Sequence, residues 1–99
     1  MAVAKKTKFD IAVIDLVRQK RIELNLSQDM IAAFIGTHRS YIGQVESPVR
    51  NSKYNLNHLN LIADAMGCSP KDFIPAQPIL EKEEPIKPNK KVTAPKKKA

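Results

Sequence analysis

LSQDMIAAFIGTHRSYIGQVE, residues 26–46, is the stretch of the sequence that decides the fold. Ser27 can cap a helix, because its hydroxyl can accept a hydrogen bond from a free backbone amide at Asp29 or Met30. The apolar residues that follow recur at one-turn spacing and predict a buried stripe of Ile31, Ala32 and Ile35. Gly36 then predicts the end of this helix, since glycine adopts the left-handed C-cap conformation without a side-chain penalty.

A second short helix is predicted directly after the glycine. Either Thr37 caps it and the helix starts one residue earlier, or His38 occupies the cap position and the cap is weak. Its apolar positions are Ile42 and Val45, and its polar positions are Arg39, Ser40 and Gln44. Two amphipathic helices that are separated by so short a turn cross at a steep angle, which is the geometry of a helix-turn-helix.

The chain resembles the phage-repressor and Cro type of helix-turn-helix protein, the Xre family. The matching segments cover about two thirds of the sequence and are KRIELNLSQ (20–28), Ile31 with Ala32, Gly36, RSYIGQVE (39–46) and LNLIADAMGCSPKDF (59–73). This resemblance implies an all-α, five-helix, lambda-repressor-like DNA-binding domain whose third helix, about residues 38–46, enters the major groove.

Length and composition limit the alternatives. Ninety-nine residues make one domain at most, with a single small core. No apolar run approaches the roughly 20 residues of a membrane span, and the amino-terminal lysines precede no apolar segment of the kind found in secretory signals. We therefore expect a cytoplasmic protein without a membrane partner, and the lone Cys68 agrees with a reducing compartment.

The net charge of +7 favours a polyanionic partner, above all nucleic acid. Residues 1–74 carry ten basic and seven acidic side chains, whereas residues 75–99 carry seven lysines and three glutamates. More than half of the surplus therefore lies in the tail. Net charge alone is weak evidence that the folded part binds DNA.

The ends of the chain differ in composition from its centre. Residues 1–8 predict a flexible basic arm containing Lys5, Lys6 and Lys8, for which contact with a phosphate backbone is the functional alternative. Residues 9–75 form the predicted domain. Residues 76–99 predict a disordered tail rich in proline and lysine, with local docking of Ile79 and Leu80 as the exception. The tail lysines serve solubility, non-specific DNA affinity or both.

Within the domain, Asp10 is the expected cap of the first helix, which runs to about Leu24 and is closed by Asn25. Its inward-facing residues are Val13, Ile14, Val17 and Leu24. The fourth helix is predicted to begin near Leu56 or His58, with Asn55 or Asn57 as cap, and to end at Gly67. Ser69 and Pro70 then open a short fifth helix that turns Phe73 inward.

Arg21 falls on the inward side of the first helix, and a buried arginine needs a partner. The resemblance implies an ion pair between Arg21 and Glu46, the last residue of the third helix. The alternative is that both residues are ordinary surface charges.

The residues expected to touch DNA lie on and around the third helix. A helix docked in the major groove presents its first turn and outward face to base edges, here His38, Arg39, Ser40, Gly43 and Gln44. Arginine can bond to guanine O6 and N7, and glutamine to adenine N6 and N7. The expected contacts to the DNA backbone are Gln28, Thr37, Tyr41, Arg50, Asn51 and Lys53.

The sequence thus predicts a sequence-specific, DNA-binding transcriptional regulator, with repression as the expected effect. The resemblance implies a pseudo-palindromic operator bound by a two-fold dimer, with a free monomer that dimerises only on DNA as the alternative to a preformed homodimer. The length is compatible with a small repressor or a restriction-modification controller. The alternative function is an antitoxin-type or other protein-partner module of the same fold, which binds a toxin as well as operator DNA. The fourth and fifth helices are the expected dimer contact, with Cys68 nearby. No cofactor, metal or enzyme activity is expected, since His38 and His58 lack ligand spacing and no phosphate loop occurs.

Overall fold

The structure, a computed structural model, describes residues 5–81, so residues 1–4 of the predicted arm and residues 82–99 of the predicted tail lie outside it. It contains α1 (Lys8–Glu23), α2 (Gln28–Ile35), α3 (Arg39–Glu46), α4 (Leu56–Met66) and a 3₁₀ helix (Pro70–Phe73). The all-helical class is confirmed, although the predicted fifth helix is one 3₁₀ turn. Between residues 5 and 81, no helix has both the length and the apolar character to cross a membrane.

The cap of α1 is Thr7, so the assignment of that cap to Asp10 is wrong by three residues. The Thr7 hydroxyl accepts a hydrogen bond from the Asp10 amide at 3.0 Å, and the Asp10 carboxylate accepts one from the Thr7 amide at 2.8 Å. This reciprocal arrangement is a capping box. Lys8, which the sequence places in the arm, is consequently the first residue of α1.

Three helices end in the same way, at a residue in the left-handed conformation. Asn25 (φ 60°), Gly36 (φ 73°) and Gly67 (φ 72°) end α1, α2 and α4, as the sequence predicts. In each case the next amide bonds to a carbonyl five residues earlier, with distances of 2.9, 2.9 and 3.0 Å for Leu26, Thr37 and Cys68. This is the Schellman motif, which satisfies carbonyl groups that a helix end leaves free.

The core lies where these helices meet. α2 packs on α3 and α4, while α1 packs on α3 and on the 3₁₀ helix. The largest fully buried side chains of the core are Val17, Ile31, Ile42, Val45, Ile62 and Phe73. Leu24 is 44% exposed, so its inward assignment is wrong. α1 ends at Glu23, and helical spacing no longer determines the direction of the next side chain.

The start of α4 and the end of the described chain are held by polar contacts. Asn55 is the cap of α4 and forms a second capping box with His58. Beyond the 3₁₀ helix, Ile79 is half-buried and Leu80 is exposed. The Glu81 carboxylate accepts a hydrogen bond from the Lys8 amide at 2.6 Å, so this segment returns to the amino end of α1.

Candidate nucleic-acid interface

α3 has one face in the core and one end in solvent. Ile42 and Val45 are completely buried, whereas His38, Arg39 and Ser40 at the start of the helix are exposed. The one-turn spacing of the apolar residues causes this division, because it turns them toward α1 and α2. The helix therefore projects its first turn away from the domain.

The start of α3 settles the choice between its two cap candidates. His38 is the N-cap residue, in extended conformation, and within residues 5–81 its side chain makes no capping hydrogen bond. Of the two alternatives, the weak cap at His38 is therefore the one the structure contains. The backbone amides of the first turn are not covered by a side chain of that residue.

The other end of α3 is tied to α1 through Arg21 and Glu46, which the structure brings together. Arg21 Nε donates to Glu46 Oε2 at 2.9 Å, and Arg21 Nη2 donates to Glu46 Oε1 at 3.0 Å. Arg21 Nη1 also donates to the carbonyl of Leu26 at 3.0 Å. The exposed Arg18 lies farther away, at 3.6 Å from Glu46 Oε1.

Gln28 joins this pair, although the sequence assigns it to a DNA phosphate. Its side-chain amide donates to Glu46 Oε1 at 3.0 Å, so α1, α2 and α3 meet at a single carboxylate. One of the two N–H donors of the Gln28 side-chain amide is thus engaged within the domain. Its backbone amide at the start of α2 is a further group that could face an anion.

Gly43 and Gln44 are half-buried, unlike the first turn of α3. Gln44 Oε1 accepts a hydrogen bond from the Ser52 hydroxyl at 3.2 Å. A Cβ atom added at Gly43 would meet Gln28 Oε1 at 3.9 Å, which is an ordinary contact. Both residues lie one turn beyond Arg39 and Ser40 and so share their face.

The residues expected at the DNA backbone divide into two groups. Arg50 and Asn51 are exposed in the loop after α3, and Thr37 is half-buried in the turn before it.

Tyr41 and Lys53 instead have partners within the domain. The Tyr41 hydroxyl donates to the Lys53 carbonyl at 2.6 Å, and burial raises the pKa of Tyr41. Lys53 Nζ lies 3.0 Å from an Asp10 carboxylate oxygen.

Two opposing effects act on the pKa of the Asp10 carboxyl group. Burial raises the pKa of its carboxyl group, but hydrogen bonds from the Thr7 amide and from Lys53 outweigh burial and hold that pKa below its ordinary value. The charged carboxylate therefore anchors both the start of α1 and the loop that follows α3.

Sequence reasoning missed a contact at the carboxyl end of α3. Lys6 Nζ donates to the carbonyl oxygens of Val45 and Ser47, each at 2.6 Å, and lies 3.4 Å from that of Gln44. The available signal was the end of α3 itself, which lacks the glycine or asparagine that ends α1, α2 and α4. Burial lowers the pKa of Lys6, and the Asp10 carboxylate opposes this effect.

Side chains able to hold a metal do not converge anywhere in residues 5–81, where no group of three or more histidine, cysteine, aspartate or glutamate residues is suitably placed. Cys68 is half-buried beside the end of α4. The residues on and around α3 form an exposed helix start, a helix end held by hydrogen bonds, and an adjoining loop with basic residues.

Comparison with known proteins identifies the family. A sequence profile described as Helix-turn-helix matches residues 17–73, more than half of the chain. The control protein C.BamHI of Bacillus amyloliquefaciens is 37% identical over 59 residues, which span 59% of this chain and 70% of that protein. The crystal structure of the hypothetical transcription factor NHTF from Neisseria shares the fold, with a TM-score of 0.57 at 20% identity over 75% of this chain and 83% of that one. The chain belongs to the Xre-type helix-turn-helix family of DNA-binding transcriptional regulators.

Proposed function

We propose that this protein is a sequence-specific regulator that binds operator DNA by placing the amino end of α3 in the major groove. The observation that carries the proposal is the division of α3, with Ile42 and Val45 fully buried and Arg39 and Ser40 exposed at its start. A helix held in this way can enter the groove, whose base edges carry a distinct pattern for each base pair. The name of its relative, a control protein, supports a regulatory role.

Arg39 is the principal base-reading residue in this proposal. Its exposed guanidinium group can bond to O6 and N7 of guanine, and His38 and Ser40 lie beside it. Gln44 is half-buried and its side-chain oxygen already accepts a hydrogen bond from the Ser52 hydroxyl, so its amide is less free than the Arg39 guanidinium group to reach a base. We therefore expect Arg39 to contribute more to sequence preference than Gln44. The absence of a side chain at Gly43 would allow the backbone of α3 to approach the groove.

The backbone contacts follow from which groups are free to reach a phosphate. Arg50 and Asn51 are exposed on the loop after α3, and the Gln28 backbone amide lies at the start of α2. Thr37 lies in the turn between α2 and α3. Tyr41 and Lys53 shape the loop after α3, because the Tyr41 hydroxyl donates to the Lys53 carbonyl. On DNA binding, the Lys53 ammonium group would leave the Asp10 carboxylate and contact a phosphate. Such contacts fix the docking register, while base contacts supply specificity.

We further propose that two copies bind a pseudo-palindromic operator with half-sites about 34 to 36 Å apart, and that the bound dimer represses transcription. α4 exposes the apolar side chains of Leu56 and Leu61, which are 80% and 37% exposed. A two-fold contact through α4 and the 3₁₀ helix would cover them. Sedimentation of the protein with a full operator and with a half-site duplex tests the stoichiometry: two copies on the former and one on the latter are expected.

Selection of bound sequences from a random DNA pool tests the proposed function. The native protein should yield a two-fold symmetric consensus. Arg39→Ala should erase the preference for guanine at one position in each half-site, and Gln44→Ala should relax another position to a smaller extent. Arg18→Ala, which removes the same charge from the exposed surface of α1, should retain the full consensus. A flat, salt-sensitive profile from the native protein would contradict the proposal and leave only non-specific charge attraction.

A further inference from the structure

The carboxyl end of α3 is stabilised differently from the ends of α1, α2 and α4. Those three helices end at left-handed residues with Schellman hydrogen bonds. α3 ends at Ser47 in extended conformation (φ −82°, ψ 128°), and Pro48 follows. Its own last turn contains no basic residue. The carbonyl groups that a helix end leaves free need another partner here.

Lys6 supplies that partner from a segment that precedes α1. Its ammonium group has three donors, and the three carbonyl oxygens of Gln44, Val45 and Ser47 surround it at 3.4, 2.6 and 2.6 Å. A positive charge at this end of a helix is also favoured by the helix dipole. The contact joins positions 38 to 41 residues apart, so it fixes α3 relative to the start of α1.

We propose that Lys6 is a positioning residue for DNA recognition, which sets the orientation of α3 by capping its carboxyl end. The inference rests on the proposed function, because it assumes that α3 reads the groove. α3 has only eight residues, about 12 Å of helix, so a tilt at Ser47 displaces Arg39 at the opposite end. The Arg21–Glu46 pair holds one side of the helix end, and Lys6 bonds to the carbonyl groups of Gln44, Val45 and Ser47 at that end.

A direct phosphate contact is the alternative role for a lysine in a basic arm. The two roles differ in their salt dependence. Each lysine that neutralises a phosphate makes the logarithm of the DNA affinity fall more steeply with the logarithm of the salt concentration. Loss of such a lysine reduces the slope of this plot by about 1. A lysine that acts through α3 changes the affinity for the operator relative to other DNA and leaves this slope unchanged.

The test compares Lys6→Met, which keeps the aliphatic stem, with Lys5→Met, which removes the same charge from the exposed neighbouring position. Affinities for the selected operator and for a scrambled duplex are measured over a range of salt concentrations. Lys6→Met should weaken operator binding about fivefold, with an unchanged slope and little effect on the scrambled duplex. Lys5→Met should leave the ratio of the two affinities unchanged, and Lys6→Arg should restore it.

Amide hydrogen exchange without DNA gives a second readout that does not depend on any operator. Lys6→Met should accelerate exchange in α3 and leave α4 unchanged. Equal weakening on both duplexes with a slope smaller by about 1, or unchanged exchange in α3, would overturn the proposal. Faster exchange with an unchanged affinity ratio would also overturn it. Failure of the native protein to select any operator would instead refute the proposed function.

Discussion

Arg21 and Glu46 form an ion pair with two hydrogen bonds, at 2.9 and 3.0 Å, across 25 residues of sequence. Their side chains are only 14% and 7% exposed. The pair links the scaffold helix α1 to the end of α3, and Gln28 bonds to the same carboxylate. The first prediction follows from this arrangement.

Arg21→Ala should lower the free energy of unfolding by about 3 kcal/mol, because it leaves the nearly buried Glu46 carboxylate without its main partner. Arg18→Ala is the matched control, since Arg18 is 52% exposed and lies 3.6 Å from the same carboxylate. It should cost less than about 1 kcal/mol. Urea unfolding measures both variants. Equal stabilities for Arg21→Ala and the native protein would show that the pair is dispensable.

Helix boundaries were predictable where the chemistry is local. Ser27, Gly36 and Ser69 act on amides or carbonyls within a few residues, and the structure places all three at the predicted helix ends. The error at Thr7 arose because either member of a Thr-x-x-Asp capping box can be read as the cap. Lys6 was missed because its partners lie 38 to 41 residues away. The missing glycine at the end of α3 signals that a cap is needed, but it does not indicate which residue supplies it.

The second prediction concerns the pH dependence of stability. His58 Nδ1 accepts a hydrogen bond from the Asn55 amide at 3.1 Å, which requires that nitrogen to be unprotonated. Burial lowers the pKa of His58 below 6.5, so the unfolded chain binds more protons between the lowered and the ordinary pKa. Stability should therefore be fully present above about pH 7 and decrease as the pH falls through this window.

Thermal melts between about pH 5 and pH 8 measure this effect. His58→Gln should flatten the profile, because glutamine can serve as the reciprocal member of a capping box without titrating. The His58→Gln variant also loses the ring contacts with Tyr41 and Tyr54. The quantity compared is therefore the slope of melting temperature against pH, and not the melting temperature itself. His38→Gln, at the exposed histidine, should retain the slope. A native profile that is flat over this range would refute the prediction.

The third prediction separates folding from DNA binding at Gly43. An added Cβ atom meets only Gln28 Oε1 at 3.9 Å, so Gly43→Ala fits without strain and should stabilise α3 by about 0.5 to 1 kcal/mol. If the backbone approaches the groove at this position, the same variant should bind the operator more weakly. Unfolding and operator titrations are made on one preparation. Stabilisation without loss of affinity would remove Gly43 from the interface.

The fourth prediction concerns Asn25, which closes α1 at φ 60°. Asn25→Ala should destabilise the protein by about 1 kcal/mol, because a Cβ atom without a polar group disfavours the left-handed conformation. Asn25→Gly is the control and should be neutral or slightly stabilising, since glycine adopts this conformation freely. Similar stabilities for the alanine and glycine variants would contradict the role assigned to this backbone angle.

The candidate site was less predictable than the fold. The exposure of Arg39 and Ser40 followed from helical spacing, because the buried residues of α3 fix which side remains outside. Gln28, Gln44 and Lys53 each have a partner inside the domain, on Glu46, Ser52 and Asp10 respectively. A sequence pattern does not show which polar side chains have hydrogen-bond partners within the domain. In the folded chain, these side chains bond to the donors or acceptors that tertiary packing brings close.

The central claim, that Arg39 reads a guanine in the major groove, can be tested by removing the atom it would contact. The guanine whose preference disappears with Arg39→Ala is replaced by 7-deazaguanine, which lacks the N7 acceptor, in a selected operator. The native protein should then bind about tenfold more weakly, while Arg39→Ala should bind both duplexes equally. Equal losses for both proteins, or no loss for the native protein, would contradict the account.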